Sequence, residues 1–419
     1  MAVHVSGLPK PSLAPRRVAM LFGAFAFGYF LSALLRAIVA TLAPVFAEEL
    51  SLNAGQLGLL AGAYFLGFAV MQLPLGAALD RFGPRRVLSV MLSLAVAGCL
   101  AFAAARTFPQ LIGARLLIGL GVAASLMAPL TAFARLLAPA LQLRLNSWML
   151  MSGSLGMVAS TLPVQTLLPA IGWRGLFVAI ALLLLLAMAG IAVAPPCGPS
   201  SRAEAGDRLG YFAIVRHPAF TRALPLGFFT YGGLIAVQSL WAGPWLTQVA
   251  GQSPREAAQG LLFINLGMLL SFLGWGVAMP RLVRLGFTAD RLIRLGWPLG
   301  VIVMGGVLAL GPQAGAAWWT LWCVTTSPIT LVQPAVAQAF PIAAVGRALS
   351  AFNLVIFLGV FVNQWGMGLV IDALAAAGWD TTSRFRAAFA LHLLGMASSG
   401  VWFWQGLASH RLRGARTHR

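Results

Sequence analysis

With 60% of its 419 residues hydrophobic, only 9% charged and a mean hydropathy of +0.88, the chain lies far from the roughly one-quarter charged composition of soluble domains. That excludes a water-soluble globular fold and implies an integral membrane protein. A formal charge of +19, from 28 Lys and Arg against 9 Asp and Glu, would suit a nucleic-acid partner, but where the charges fall excludes that reading too.

The hydrocarbon core of a bilayer, about 30 Å thick, takes about 20 apolar residues per helix. Runs of that length predict spans at 18–46, 55–79, 87–105, 111–139, 148–171 and 176–194, then at 224–249, 260–279, 292–310, 316–340, 348–371 and 387–407. Between the two sets lies "PPCGPSSRAEAGDRLGYFAIVRHP", with the Pro, Gly, Ser and charge of a linker. The predicted fold is therefore an all-α integral membrane protein of about twelve transmembrane helices in two six-helix halves. Its expected parts are a tail at 1–17, one half at 18–194, the linker at 195–219, a second half at 220–408 and a tail at 409–419. The head "MAVHVSGLPKPSLAPRR" lacks a small-residue cleavage site after its first apolar run, so the first helix is expected to be retained.

Basic residues gather in alternate loops. One set holds Lys10, Arg16 and Arg17; Arg81, Arg85 and Arg86; Arg135 and Arg144; Arg202, Arg208, Arg216 and Arg222; Arg281, Arg284, Arg291 and Arg294; Arg347; and Arg411, Arg413, Arg416 and Arg419. The other set holds only Arg106, Arg174, Arg255, Arg384 and Arg386. By the positive-inside rule both termini are expected in the cytoplasm, and the basic charge is a topology signal. Cys99 and Cys323 fall within spans and Cys197 in an inside loop, so free thiols are expected and no disulfide framework. Heavy use of Ala, Leu, Gly and Arg with a single Lys points to a GC-rich bacterial genome and hence a bacterial inner membrane.

A weak internal repeat supports two related halves. Arg144 opens a span that closes at Gly172 and Trp173, and Arg347 opens one that closes at Gly378 and Trp379. "GAALDR" at 76–81 is matched by "GVAMPR" at 276–281, where Pro280 replaces Asp80.

Between the second and third spans stands "PLGAALDRFGPRRVL", in which Gly76, Asp80, Arg81, Gly83, Arg85 and Arg86 fill the pattern G-x-x-x-D-R-x-G-x-R-R. In that motif, and in its two sets of spans, the chain resembles the major facilitator superfamily. The resemblance implies that Asp80 faces the positive N-terminus of the eleventh span, near Arg347 to Ser350, with Arg347 a second attraction, whenever the cytoplasmic side is shut. Gly76 would permit close helix approach there. In the fourth span "ARLLIGLGVAAS" sets Arg115, Gly119 and Gly121 in the family's R-x-x-x-G-x-G arrangement. The fifth span, "SGSLGMVASTLP", has Gly153 and Gly156 but lacks the Gly-Pro ending of the superfamily's drug and proton antiporters, which lowers the efflux reading.

The acids Glu48, Glu49, Asp80, Glu204, Asp207, Glu256, Asp290, Asp372 and Asp380 all fall outside the middle of the membrane, so a carboxylate relay has no carrier there. His392 is the intramembrane imidazole. Its ordinary reading is a hydrogen-bonded packing residue, and the pair it makes with Met396 is too little for a soft-metal path. No metal site and no cofactor are expected.

Arg36 stands in "GYFLSALLRAIVATLAP" with Tyr29 and Ser32 on the same helical face. In the superfamily the first span of each three-helix group borders the central cavity, so this stripe is expected to face water. In the seventh span Tyr231, Gln238 and Trp245 recur every seven residues beside Trp241, and in the tenth Trp319, Trp322, Thr326, Thr330 and Gln333 form a stripe. Aromatic stripes ordinarily mean packing, but alternation with amides and hydroxyls favours a largely apolar pocket with polar hooks. Asn363, Gln364 and Trp365 are further candidates.

With Arg36 and Arg115 unbalanced by any acid, the expected solute is a small organic anion, carried by alternating access as a symporter or exchanger. The rival is proton-coupled efflux of a neutral or amphipathic compound. A transporter-like sensor or a membrane enzyme is remote, because the tails are short and no nucleophile–base pair or ligand cluster falls within the spans. The expected partners are the lipid bilayer, a small-molecule solute and, as an open question, a coupling ion; nucleic acid is not among them, and the monomer is expected to function alone. Cysteines placed singly in the loops 47–54 and 311–315 should react with an impermeant thiol reagent added outside. Reaction only after the membrane is permeabilised would reverse this topology.

Overall fold

The computed structural model of the protein describes residues 14–193 and 210–416, so Lys10, Arg202, Arg208, Cys197, Glu204, Asp207 and Arg419 fall outside it, with most of the predicted linker. All regular structure among the described residues is helical. The first helix runs Pro15–Glu49, the second Ala54–Phe82 and the third Pro84–Ala104. The fourth runs Phe108–Val122 and continues as Met127–Leu136. Pro139–Ala159 begins the fifth crossing, which resumes after a turn at Leu162. Gly172, at φ +63°, then reverses the chain, so 162–171 completes the fifth crossing and 173–193 makes the sixth. Gly378 ends the eleventh helix at φ +83°, and both glycines are followed by Trp, which places the repeat read in the sequence on equivalent turns.

After a short helix at Tyr211–Arg216, the seventh crossing fills Pro218–Val249, with π-helical turns at Leu226–Tyr231, Val237–Trp241 and Trp245–Val249. The eighth is Pro254–Arg284, the ninth Ala289–Leu310, the eleventh Ile342–Ala376 and the twelfth Thr381–Arg416. The tenth, expected as one helix, is Ala316–Thr326, a 3-10 segment Ser327–Leu331 and Val332–Gln338. Pro328 explains that break, since it lacks an amide and crowds the preceding turn. Ten helices among the described residues are long and apolar enough to cross a membrane; the broken fifth and tenth crossings bring the pattern to the twelve expected.

Local chemistry sets the helix starts. Asn53 with Gln56, and Ser253 with Glu256, form reciprocal capping boxes, and Pro254 occupies the first helical position, where its missing amide costs nothing. The Ser383 side chain and amide hold the Asp380 carboxyl below its ordinary range. At the end of the bundle away from the linker, Glu49 takes hydrogen bonds from Trp173 Nε1 and Arg174, each at 2.8 Å.

Small residues let the helices cross closely. A Cβ on Gly119 would strike the Tyr64 carbonyl, and one on Gly121 the backbone of Ala95, so the glycines of the fourth-span motif are contact points. Between the halves the most extensive seam joins the second and eleventh helices, with further contacts from the first to the seventh and the fifth to the eighth. The seam begins at the far end, where Asp372 meets Ala54 and Gly55, and runs through Gly62 against Phe361 to Gln72 and Asn353. Towards the linker end it parts: a Cβ on Gly76 or Gly346 would meet nothing within 4 Å. The close approach expected at Gly76 is thus not made in this conformation.

Gly119→Val should lower the thermal unfolding midpoint of detergent-purified protein, because the second and fourth helices must separate to admit the side chain, at a cost of about 1–3 kcal/mol. An unchanged midpoint would mean that this crossing tolerates a wider spacing.

Candidate substrate site between the halves

Three of the chain's four tyrosines gather around Arg36. Tyr29 lies two turns before it on the first helix, Tyr64 comes from the second and Tyr231 from the seventh, all within electrostatic reach of the guanidinium. Tyr64 donates to the Ser32 carbonyl at 3.1 Å, tying the first helix to the second, and Gly153 of the fifth helix leaves the space that the Tyr29 ring occupies. The guanidinium lies 5.7 Å from the centroid of Phe68 and 6.0 Å from that of Phe357, and those two rings touch across the seam at 4.5 Å. Such contacts stabilise a cation by about 0.5–1 kcal/mol where water has access. No carboxylate pairs with Arg36 among the described residues, and its Nε has no hydrogen-bond partner. The residue is partly exposed in the interior, where the halves meet.

Arg115 is placed differently. It is fully buried within the N-terminal half, donating from Nε to the Leu60 carbonyl at 3.3 Å and from a terminal nitrogen to the Leu35 carbonyl at 3.1 Å, with its guanidinium 5.0 Å from the Tyr64 ring centroid. It clamps three helices and does not reach the space between the halves. Ser32, also fully buried, does not reach it either.

One helical turn from Phe68 and Phe357 towards the linker end, amides bridge the halves. Gln333 donates to Asn353 at 2.6 Å, and Asn353 donates to Gln72 at 3.4 Å. Gln333 therefore lies near the interface, as do Arg36, Tyr29 and Tyr231. The other candidates are brought together elsewhere, in the core of the C-terminal half. Trp245 Nε1 donates to the Ala314 carbonyl, and its ring packs edge-on against Trp319 and Phe389. Trp241 Nε1 donates to the Gln364 carbonyl, Gln238 donates to Asn265 at 2.9 Å, and Trp322 and Thr326 are buried beside them. The pocket expected from these stripes is filled by their own side chains, because each apolar ring gains more from packing than from lining a channel. His392 Nδ1 meets Asn363 Oδ1 at 3.1 Å, and Gly233 leaves room for its ring, the packing role expected of it. No group of three or more His, Cys, Asp or Glu able to hold a metal occurs among the described residues.

Sequence reasoning missed Tyr64, Phe68, Gln72, Asn353 and Phe357. All lie on the second and eleventh helices, in stretches with no charge to mark them; Gln72 and Asn353, amides within apolar runs, were the available signals. Around the turn between the second and third helices, Asp80 pairs with Arg135 of its own half at 3.0 Å, and Arg85 donates to the Ala192 carbonyl at the end of the sixth helix. Arg81 stacks on Phe82, and Gly83 turns the chain at φ +80° between the second and third helices.

A bundle of about twelve apolar crossings is the architecture of a multi-pass membrane protein. The sequence profile of the Major Facilitator Superfamily matches residues 25–363, and the chain belongs to that family. A chloramphenicol resistance protein of Streptomyces lividans is 28% identical over 355 residues, which cover 80% of this chain and 89% of that protein. The 4-hydroxybenzoate transporter PcaK of Acinetobacter baylyi is 26% identical over 312 residues, covering 65% of this chain and 66% of that one. A solved bacterial homolog of the human lysosomal transporter Spinster, in an inward-facing and unoccupied conformation, superposes with a TM-score of 0.73 at 18% identity, covering 94% of this chain and 98% of the other.

The contrast between the two arginines is measurable. Arg115→Leu should lower the unfolding midpoint, since it removes charge-assisted bonds of about 1.5–3 kcal/mol each, whereas Arg36→Gln should leave the midpoint near that of the parent. The opposite order would exchange their roles.

Proposed function

We propose that this transporter moves a small organic anion by alternating access, with Arg36 holding the anion. The observation that carries the reading is a guanidinium at the meeting of the halves with no carboxylate partner, set against aromatic rings and phenols. A polar group in a membrane interior is ordinarily paired, so a charge left without an acid is best explained by a ligand that supplies one. Similarity to a 4-hydroxybenzoate transporter supports a carboxylate as that ligand. The phenols and the amides Gln72, Asn353 and Gln333 would serve its remaining polar groups. The substrate's own titration, or exchange for another anion, would spare the protein a relay acid, as in a symporter or exchanger.

The setting proposed is a bacterial inner membrane with both termini in the cytoplasm. It is supported by Arg85, Arg86, Arg135, Arg144, Arg216 and Arg222 at the linker end against the fewer Arg106, Arg174, Arg255, Arg384 and Arg386 at the other. In that setting the end where Asp372 meets Ala54 and Gly55 is the outer one, and it is closed. On closure of the inner side, Asp80 would leave Arg135 for the N-terminus of the eleventh helix near Arg347, which is the gating role its motif implies.

A second reading, efflux of a neutral aromatic compound, draws support from the relative named for chloramphenicol resistance and from the rings of Phe68 and Phe357. Substitution at Arg36 separates the two. A guanidinium holds a carboxylate through two bonds in one plane, which an ammonium cannot reproduce. Arg36→Lys should bind an anionic solute weakly and Arg36→Gln about tenfold to hundredfold more weakly than the parent, by direct titration of folded protein. Undiminished anion affinity in Arg36→Gln would sink the anion reading.

A further inference from the structure

We propose that Asp372 is the gating residue that holds the far end of the transporter shut, by capping a helix that belongs to the other half. Its Oδ1 accepts from the Ala54 amide at 3.0 Å and its Oδ2 from the Gly55 amide at 2.7 Å. These are the first two amides of the second helix, and the helix's own cap does not serve them: Asn53 Oδ1 takes the Gln56 amide at 2.8 Å. The opening amides of a helix have no partners within it and carry partial positive charge, so a carboxylate there makes two charge-assisted bonds.

The surroundings are shaped to admit this contact. A Cβ on Gly55 would lie 2.8 Å from Asp372 Oδ2, one on Gly58 would strike the Gln364 carbonyl, and one on Gly368 would strike the Ala54 carbonyl. Backbone thus meets backbone over the first two turns of the second helix. The carboxylate rides on the eleventh helix and its amides on the second, so any motion that parts the halves at this end breaks both bonds. An interaction made in one conformation and lost in the other shifts the balance between them.

The arrangement mirrors the gating motif on the same pair of helices. Asp80 ends the second helix at the linker end, and Asp372 ends the eleventh at the far end. In this conformation the far-end carboxylate is bound across the halves, while Asp80 pairs within its own half. The assignment is independent of which solute is carried.

The test uses full-length protein in lipid nanodiscs with spin labels at cysteines replacing Arg106 and Gln313, exposed positions at the far end of each half. Pulsed dipolar spectroscopy reads the distance between them. Asp372→Asn should raise the ratio of far-end-open to far-end-closed molecules about tenfold, and Asp372→Glu should raise it less. Ala54→Pro removes one of the two amides at a position where proline suits a helix, and should shift the ratio the same way without weakening the helix itself. Combined with Asp372→Asn it should add less than it does alone. If Asp372→Asn folds poorly, Ala54→Pro decides the matter alone. A parental distance distribution in Ala54→Pro, or in a folded Asp372→Asn whose unfolding midpoint has merely dropped, would show an ordinary helix cap and overturn the proposal.

Discussion

Inside a bilayer every polar group must find its partner within the protein, and this constraint sorts the buried polar residues of the chain. Arg115 donates to two main-chain carbonyls and lies against a ring face, Gln238 donates to Asn265, Trp245 donates to a loop carbonyl, and His392 Nδ1 meets Asn363, although Arg115 keeps one terminal nitrogen and His392 its Nε2 without a hydrogen-bond partner. Each of those pairings lies within one half and stiffens it. Arg36 breaks the pattern by standing where the halves meet, with aromatic faces around it and no acid against it. Such pairings hold each half together, and the unbalanced charge stands at their junction.

Alternating access, as proposed, needs a seam that can open. Glycines bring the second and eleventh helices close at the far end, aromatic rings fill the middle beside Arg36, and amides lie one turn further towards the linker end, where the helices part. The rings and amides beside Arg36 and the proposed gate at Asp372 therefore share one pair of helices. Closure over a bound anion would change the surroundings of Arg36 and the state of both terminal carboxylates together, which gives alternating access a physical linkage without a charged relay through the core.

Much of this was legible in the sequence, for reasons that can be named. The helices announced themselves because lipid disfavours charge over about 20 residues, and the breaks after Val122, at Ser160 and at Pro328 blurred their continuity. The repeat was visible because Gly172 and Gly378 supply positive φ at equivalent turns. Arg36 was legible because a lone charge is conspicuous in an apolar run. The tryptophans of the seventh and tenth helices misled for a complementary reason: helical spacing shows that residues share a face but not whether that face meets solvent or another helix, and here it meets Phe385 and Phe389. Asp372 stood in the sequence only as one of the acids outside the middle of the membrane. Its partner is 318 residues away in the chain, a relation that composition and periodicity cannot carry.

The central claim is that the charge missing from the interior is supplied by the solute. The most direct measurement is thermal stabilisation of the purified parent protein by a panel of matched pairs, each an aromatic or aliphatic carboxylate with its uncharged carboxamide. The account predicts that stabilising compounds fall on the carboxylate side, with their amides inert at the same concentration. Equal stabilisation by the amides, or stabilisation by cations alone, would contradict it.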